Sequence, residues 1–110
     1  MPSKIDSTDK IYMLNAFWFK ADGGEELYKE YMKEALPLIE EAGGQKLRSL
    51  VPERAMVGEM DADLLYFVEF PSWGAYKGFA NGSAHHKIAY KLRDATEKTL
   101  LVRCVRPEKK

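Results

Sequence analysis

Apolar and polar positions follow one another along the chain in blocks that predict four strands. The strongest block runs from Lys10 to Lys20, is rich in aromatic residues and is interrupted only by Asn15. It is too short for a typical buried helix, so we expect a strand that is buried on both faces. Three further blocks predict strands at residues 45–51, 64–70 and 99–105. Residues 55–60 either continue the second strand or begin a hairpin arm, and residues 61–63 are expected to form the turn that follows.

Apolar residues at three- and four-residue spacings predict helices between these strands. The predicted helices are the segment from Asp22 to Gly43, residues 73–80 and residues 84–96. Asp22 is expected to cap the first helix together with Glu25, and Pro37 is expected to bend it. Ser72 is expected to cap the second helix, which a break at Asn81-Gly82-Ser83 separates from the third.

The predicted order is strand, helix, strand, strand, interrupted helix, strand, which is the ferredoxin-like βαββαβ arrangement of the α+β class. An antiparallel sheet of this kind carries its helices on one face. Because the strands here are apolar on both faces, a second copy of the chain is the simplest cover for the other face. We therefore expect a homodimer, a dimeric α+β barrel, with a cavity between sheet and helices or inside the barrel. The domain is expected to span residues 10–106, between a flexible N-terminal tail at 1–9 and a C-terminal tail at 107–110.

Composition narrows the class of protein. Among 110 residues, 17 basic side chains balance 17 acidic ones, so no nucleic-acid partner is expected. No apolar stretch reaches the length of a membrane span or forms a signal core, and we expect a cytoplasmic protein without a membrane partner. Cys104 is the single cysteine, which excludes an internal disulfide and a zinc cluster of cysteine pairs. We expect it to be a buried thiol and not a nucleophile.

Several segments of the chain, taken in order, are similar to a known domain family. They are Leu27-Tyr28-Lys29-Glu30-Tyr31, Val68-Glu69-Phe70-Pro71-Ser72 and Phe79-Ala80-Asn81-Gly82-Ser83. From Lys10 to Arg106 the chain resembles the uncharacterised family numbered 1330 among domains of unknown function. The resemblance implies the dimeric α+β barrel superfamily, which includes cofactor-free monooxygenases, isomerases, haem-degrading enzymes and proteins without known activity. One departure is Ser83-Ala84-His85-His86, which looks more like the Ser-x-x-His pattern of the small monooxygenases than like the family's usual turn.

The only two histidines lie at the start of the last predicted helix. His85 shares a helix face with apolar residues, so we expect it to point toward the sheet, where an imidazole could move a proton near neutral pH. His86 is a weaker candidate for a ligand contact, since it shares a side with Tyr90 and Arg93. Both also fit structural roles, as a backbone-bonded residue near the helix start and as a solvated side chain. Adjacent helix residues diverge by about 100°, so no metal site is expected.

Glu69 is the second candidate for a catalytic residue. It alternates with apolar neighbours on a predicted strand, so we expect a carboxylate that is at least half-buried and needs a partner. It fits a general base in the barrel, or an ion pair with Arg48 or Arg103 that holds the sheet or the dimer together.

Candidate ligand-binding residues lie on the same predicted strands. A buried amide at Asn15 requires hydrogen bonds. Tyr12 and Trp18 share one face of the first strand, and Tyr66 is expected to join them. Such residues fit a clamp for a flat aromatic ligand, or simply a core or dimer interface.

Two functions fit these residues. The first is a homodimeric barrel that holds a small apolar or aromatic metabolite, with no catalysis established. The alternative is a cofactor-independent monooxygenase or isomerase of a small aromatic or quinone-like compound. In that scheme His85 carries the proton, assisted by Asn15, Tyr66 or Glu69. The delocalised anion of the substrate would carry the redox chemistry, so no metal or other cofactor is expected.

Overall fold

A four-stranded antiparallel sheet with its helices on one face forms residues 9–109, the part of the chain that the computed structural model describes. In chain order the elements are β1 (Ile11–Phe19), α1 (Gly24–Glu41), β2 (Gln45–Lys46), β3 (Leu64–Phe70), α2 (Trp73–Ala80), α3 (Ser83–Ala95) and β4 (Thr96–Cys104), followed by a 3₁₀ turn (Pro107–Lys109). The strand order is β2-β3-β1-β4. The predicted ferredoxin-like α+β fold is thereby confirmed. The expected N-terminal tail lies, apart from Asp9, outside the described residues.

The register of the central strands determines which side chains face the helices. β1 pairs antiparallel with β3 and with β4, and Asn15 lies opposite Tyr66 on one side and Leu101 on the other. Because successive side chains of a strand point to opposite faces, every second residue belongs to the helix side. On β1 and β3 these residues are Ile11, Met13, Asn15, Phe17, Leu64, Tyr66, Val68 and Phe70.

Apolar side chains between the sheet and the helices form the core. Phe17 is 1% exposed, and its ring lies 5.0 Å from that of Tyr28 and 5.7 Å from that of Tyr66, measured between centroids. The buried residues of α1 are Gly24, Tyr28, Tyr31, Ala35 and Ile39, which is one face of the helix. Full burial of a large apolar side chain stabilises a fold by roughly 1.5–3 kcal/mol, so α1 is held mainly by this face.

The start of α1 differs from the prediction. Its cap position is Gly23, whose φ of 78° lies in the left-handed region, and no side chain caps the helix. The predicted cap formed by Asp22 with Glu25 is therefore wrong. The turn is determined instead by a close approach to α3, because a Cβ on Gly24 would lie 2.5 Å from the carbonyl oxygen of Ala95.

The other helix boundaries agree with the prediction to within one or two residues. The Ser72 hydroxyl accepts a hydrogen bond of 3.0 Å from the backbone N–H of Ala75, which confirms the predicted cap of α2. α1 runs through Pro37 to its end, and the bend expected there stays a prediction. β4 begins at Thr96, three residues before the predicted strand, directly after the last residue of α3.

The second predicted strand is wrong over most of its length. The regular ladder with β3 covers only Gln45–Lys46. Beyond it the Leu47 N–H still donates to the Phe67 carbonyl at 2.8 Å, and Leu50 forms an isolated bridge with Leu65 before the chain leaves the sheet. Pro52 lacks the N–H that a continued ladder would need. Residues 55–60 form no strand, so neither the continuation nor the hairpin arm is present.

The outer face of the sheet, turned away from the helices, is apolar and open in the single chain. Phe67 is 37% exposed and Val102 is 38% exposed on this face. Trp18 lies there too, with its indole N–H donating a 2.9 Å hydrogen bond to Asp61 and the Lys98 ammonium 4.4 Å above its ring. Open apolar sheet surface of this kind is typical of an interface.

Candidate functional site

A cavity of about 110 Å³ lies between the helix-facing side of the sheet and the three helices. Its wall is mostly apolar. Polar side chains reach it at six positions: Asn15, Tyr31, Tyr66, Tyr76, His85 and Thr99. An engineered apolar cavity of about 150 Å³ binds benzene, so this cavity fits a molecule of at most one small ring.

His85 enters the cavity wall from the first turn of α3. Its Nε2 atom is 2.8 Å from the Tyr31 hydroxyl, and its Nδ1 atom is 3.2 Å from the carbonyl oxygen of Ala80. A carbonyl oxygen only accepts, so Nδ1 carries the hydrogen and donates it to Ala80. In the neutral ring Nε2 then accepts from Tyr31. The imidazole is thus fixed in one tautomer, with its basic nitrogen bonded to a hydroxyl of another residue that lines the cavity.

The surroundings of this pair favour its neutral form. Burial lowers the pKa of His85 below its ordinary value of 6.5, the Ala80 carbonyl partly opposes this, and the nearby His86 adds to the lowering. Burial, reinforced by the nearby Tyr66 and Tyr76, raises the pKa of Tyr31 strongly. At neutral pH the site therefore holds an uncharged base next to an uncharged phenol.

A second hydrogen-bonded pair joins Tyr66, which lines the cavity, to Tyr28, which lies behind it in the core. The Tyr28 hydroxyl donates a 2.9 Å hydrogen bond to the Tyr66 hydroxyl, and the Tyr66 hydroxyl lies 3.6 Å from the Met32 sulfur. Burial raises the pKa of Tyr66 strongly and that of Tyr28 to about 12. The Lys46 ammonium lies 4.3 Å from the centre of the Tyr66 ring. Both phenols are therefore protonated across the working pH range.

Three of the residues predicted from the sequence meet at this cavity, namely His85, Asn15 and Tyr66. The Asn15 amide donates a 3.1 Å hydrogen bond to the Met13 carbonyl of its own strand, which supplies one of the bonds that such an amide requires. The expectation that Tyr66 shares a face with Trp18 is wrong, because the register places Tyr66 directly opposite Asn15.

The remaining predicted site residues lie elsewhere. Tyr12, Trp18 and Glu69 are on the outer face, so the sheet separates them from His85. His86 is exposed to solvent. The roles of Tyr12, Trp18 and His86 as ligand contacts, and of Glu69 as a base, remain predictions. None of these four side chains lines this cavity.

Glu69 has a different partner from the two arginines considered. Its half-buried carboxylate forms a 3.2 Å ion pair with Lys10, the residue directly before β1. Arg103 points to the helix side, where its guanidinium lies 4.6 Å from the centre of the Trp73 ring. The expectation of an ion pair is met, and the predicted pairing with Arg48 or Arg103 is wrong.

Tyr31 and Tyr28 were not among the site residues predicted from the sequence. Both belong to the apolar stripe of α1 and fit a core position, and their rings do pack in the core. The available signal was chemical, since a buried tyrosine hydroxyl needs a hydrogen-bond partner and two such groups lie on one helix face.

Cys104 is only partly buried in the single chain, because it lies on the outer face opposite Tyr12. The predicted burial of this thiol is therefore wrong for the protomer. Across residues 9–109 no group of three or more potential metal-ligating side chains comes together. Within the same residues, none of the helices has the length and apolar character required to cross a bilayer.

Comparison with solved structures supports the fold. The RPA0582 protein of unknown function from Rhodopseudomonas palustris has 22% sequence identity and a TM-score of 0.79, over 91% of this chain and 85% of that one. A dimeric ferredoxin-like protein of unknown function from Jannaschia sp. CCS1 has 16% identity and a TM-score of 0.74, over 88% of this chain and 99% of that one. The hydroxynitrile lyase from Passiflora edulis has 12% identity and a TM-score of 0.72, over 92% of this chain and 96% of that one.

At these identities the likeness extends to the fold alone: a ferredoxin-like α+β domain of the kind found in dimeric α+β barrel proteins. No family model matches the chain, and no curated protein sequence matches it. The resemblance to the family numbered 1330 therefore stays a prediction, although the fold that it implies is confirmed.

Proposed function

We propose that the protein binds a small apolar or aromatic metabolite in the cavity between sheet and helices, and that His85, paired with Tyr31, moves a proton on it. The observation that carries this proposal is the 2.8 Å contact between His85 Nε2 and the Tyr31 hydroxyl at the wall of an apolar cavity. A neutral imidazole fixed in one tautomer at the wall of a mostly apolar cavity is suited to general acid–base chemistry.

The proton transfer would proceed between the ligand and Nε2. An acidic O–H or C–H of the ligand, placed near the Tyr31 hydroxyl, gives its proton to the Tyr31 oxygen while the Tyr31 proton passes to Nε2 of His85. The imidazolium that forms keeps its Nδ1–H bond to Ala80, which is the last residue of α2. A helix C-terminus favours a nearby positive charge, so this contact stabilises the charged form while the reaction needs it.

The size of the cavity restricts the ligand. Sites for drug-sized molecules typically measure about 300–1,000 Å³, whereas this cavity measures about 110 Å³. A polycyclic quinone does not fit this volume. An isomerase and a cofactor-independent monooxygenase of a one-ring compound would both begin with the same proton removal, so both remain within the proposal.

We also propose that two copies of the chain pair through the outer faces of their sheets. The open apolar surface around Phe67 and Val102 supports this pairing. Similar structures are described as dimeric. In such a dimer Glu69 and Cys104 would lie near the interface.

Solvent exchange tests the proton transfer whatever the overall reaction is. The protein is incubated in D₂O with cyclopentanone or cyclohexanone, and NMR measures deuterium incorporation next to the carbonyl. We expect catalysed exchange that His85→Gln reduces by roughly 100-fold, since a positioned acid–base group contributes about 10²–10⁴-fold.

The neighbouring histidine supplies the matched control. His86→Gln changes an exposed residue of the same helix turn and should alter the exchange rate far less than His85→Gln, because His86 acts on His85 only through a minor contribution to its lowered pKa. Saturation-transfer NMR should show that His85→Gln still binds the ketones. Equal exchange by the wild type and by His85→Gln would contradict the proposal, and so would the absence of exchange by the wild type.

A further inference from the structure

The hydroxyl proton of Tyr66 is held by a weak acceptor. A thioether sulfur only accepts, so the 3.6 Å contact to Met32 uses the proton of Tyr66, and the bond between the two tyrosines uses the proton of Tyr28. Tyr66 and Met32 both line the cavity. An oxygen atom of a ligand would therefore accept a hydrogen bond from Tyr66 in place of the Met32 sulfur, and only a weak contact would be lost.

Two neighbours strengthen Tyr66 as a donor. A hydroxyl that accepts one hydrogen bond donates its own proton more strongly, and Tyr28 provides that bond. The positive charge of the Lys46 ammonium above the Tyr66 ring makes the Tyr66 hydroxyl a stronger hydrogen-bond donor. Lys46 is held in place by hydrogen bonds to the Leu47 carbonyl at 3.1 Å and the Ser49 hydroxyl at 2.7 Å.

From this geometry we propose that Tyr66 donates a hydrogen bond to the ligand oxygen on which negative charge develops, with Tyr28 and Lys46 as positioning residues. The substrate class would then be phenols and enolisable carbonyl compounds of at most one ring. The inference rests on the proposed function, because His85 must remove the proton whose loss creates this charge.

The step is balanced without any further reactant. In a carbonyl compound the C–H bond next to the carbonyl breaks and its proton bonds to the Tyr31 oxygen, while the Tyr31 proton bonds to Nε2 of His85 and the electron pair moves onto the ligand oxygen as an enolate. In a phenol the O–H bond breaks and the oxygen becomes a phenolate. In both cases the oxygen accepts the proton of Tyr66 in a hydrogen bond, and the reverse transfer returns the proton from His85. Donors aimed at developing charge are usually a large part of catalysis.

Fluorinated phenols of graded acidity provide the probe. ¹⁹F NMR reports both their affinity for the protein and the fraction that is bound as phenolate. In the wild type, affinity should rise with phenol acidity at fixed pH. Tyr66→Phe should weaken the most acidic phenols by about 10- to 100-fold, the range for a hydrogen bond to a charged group, and should lower the bound phenolate fraction.

The positioning residues are tested by Lys46→Met against Lys98→Met. Each variant removes one ammonium over an aromatic ring, at 4.3 Å from Tyr66 and at 4.4 Å from Trp18. Only Lys46→Met should lower the phenolate fraction and the affinity, by about two- to fivefold. Tyr28→Phe keeps the Tyr66 hydroxyl and should give an intermediate loss, which keeps the proposal testable even if Tyr66→Phe fails to fold.

The outcomes separate this inference from the proposed function. Phenols that fail to bind the wild type would overturn this inference, and the proposed function would then be decided by the His85-dependent exchange of the ketones. Phenols that bind and ionise in a manner dependent on His85, with equal affinity for Tyr66→Phe, would overturn only the role of Tyr66. An equal effect of Lys46→Met and Lys98→Met would overturn the role of Lys46.

Discussion

The hydrogen bond between Tyr28 and Tyr66 predicts an asymmetric pair of mutational effects. The perturbation is removal of one hydroxyl at a time, by Tyr28→Phe and Tyr66→Phe, and then of both together. Among the described residues, the Tyr66 oxygen is the acceptor within reach of the Tyr28 hydroxyl, whereas Tyr66 also has the Met32 sulfur. Tyr66→Phe therefore leaves a buried donor without its acceptor, and Tyr28→Phe does not.

The magnitudes follow from burial. Tyr28 is 5% exposed and Tyr66 is 3% exposed, so water does not replace a lost partner easily. Leaving a buried polar group unsatisfied costs about 1–3 kcal/mol, and loss of an ordinary hydrogen bond costs about 0.5–1.5 kcal/mol. We expect the first range for Tyr66→Phe and the second for Tyr28→Phe. The double variant should lose no more than Tyr66→Phe alone, which is a coupling of about 1 kcal/mol.

Urea unfolding followed by circular dichroism, at one fixed protein concentration, measures these free energies. Tyr90→Phe serves as the control, because Tyr90 is 46% exposed and its hydroxyl should matter by less than about 0.5 kcal/mol. Single losses that simply add in the double variant would refute the pairing. A cost for Tyr28→Phe equal to that for Tyr66→Phe would refute the asymmetry.

Three further predictions test the surrounding structure. Burial lowers the pKa of folded His85 below 6.5, so as the pH falls the unfolded chain binds this proton before the folded chain does. The free energy of unfolding therefore decreases from about pH 6.5 down to the folded pKa. In thermal melts His85→Gln should reduce this pH dependence, and an unchanged pH profile would contradict the prediction. Val102→Asp should convert a dimer into a monomer in sedimentation analysis, while an unchanged mass would exclude pairing through the outer face. Gly24→Ala should destabilise the fold by about 1–3 kcal/mol, because the new Cβ meets the Ala95 carbonyl. Gly78→Ala, with nothing within 4 Å of its Cβ, should be neutral or slightly stabilising, and equal denaturation midpoints for the two alanine variants would refute the close approach.

Local patterns in the sequence were sufficient for most of the fold. The apolar run after Lys10, the stripe on α1 and the Ser72 cap each depend on neighbouring residues, and each predicted its element. The second strand failed over most of its length, because residues 45–51 by themselves do not determine how far a regular ladder with β3 extends. The pairing of a strand depends on the side chains of its partner strand, and the periodicity of one segment carries no information about them.

The candidate site was predicted only in part, because it depends on register and on distant contacts. His85 was expected to point to the sheet, and it lies at the cavity. Its contact with Tyr31 joins residues 54 positions apart, which no local spacing indicates. The error on Tyr66 is one of register, since a shift of one residue exchanges the two faces of a strand.

The central claim is that a ligand in the cavity gives its proton to His85. The most direct measurement is ¹⁵N NMR of histidine-labelled protein, with and without a saturating amount of the most acidic fluorinated phenol that binds. We expect Nε2 of His85 to change from an accepting nitrogen to a protonated one on binding, while the signals of exposed His86 stay unchanged. A phenol that binds while both nitrogens of His85 keep their resonances would contradict this claim.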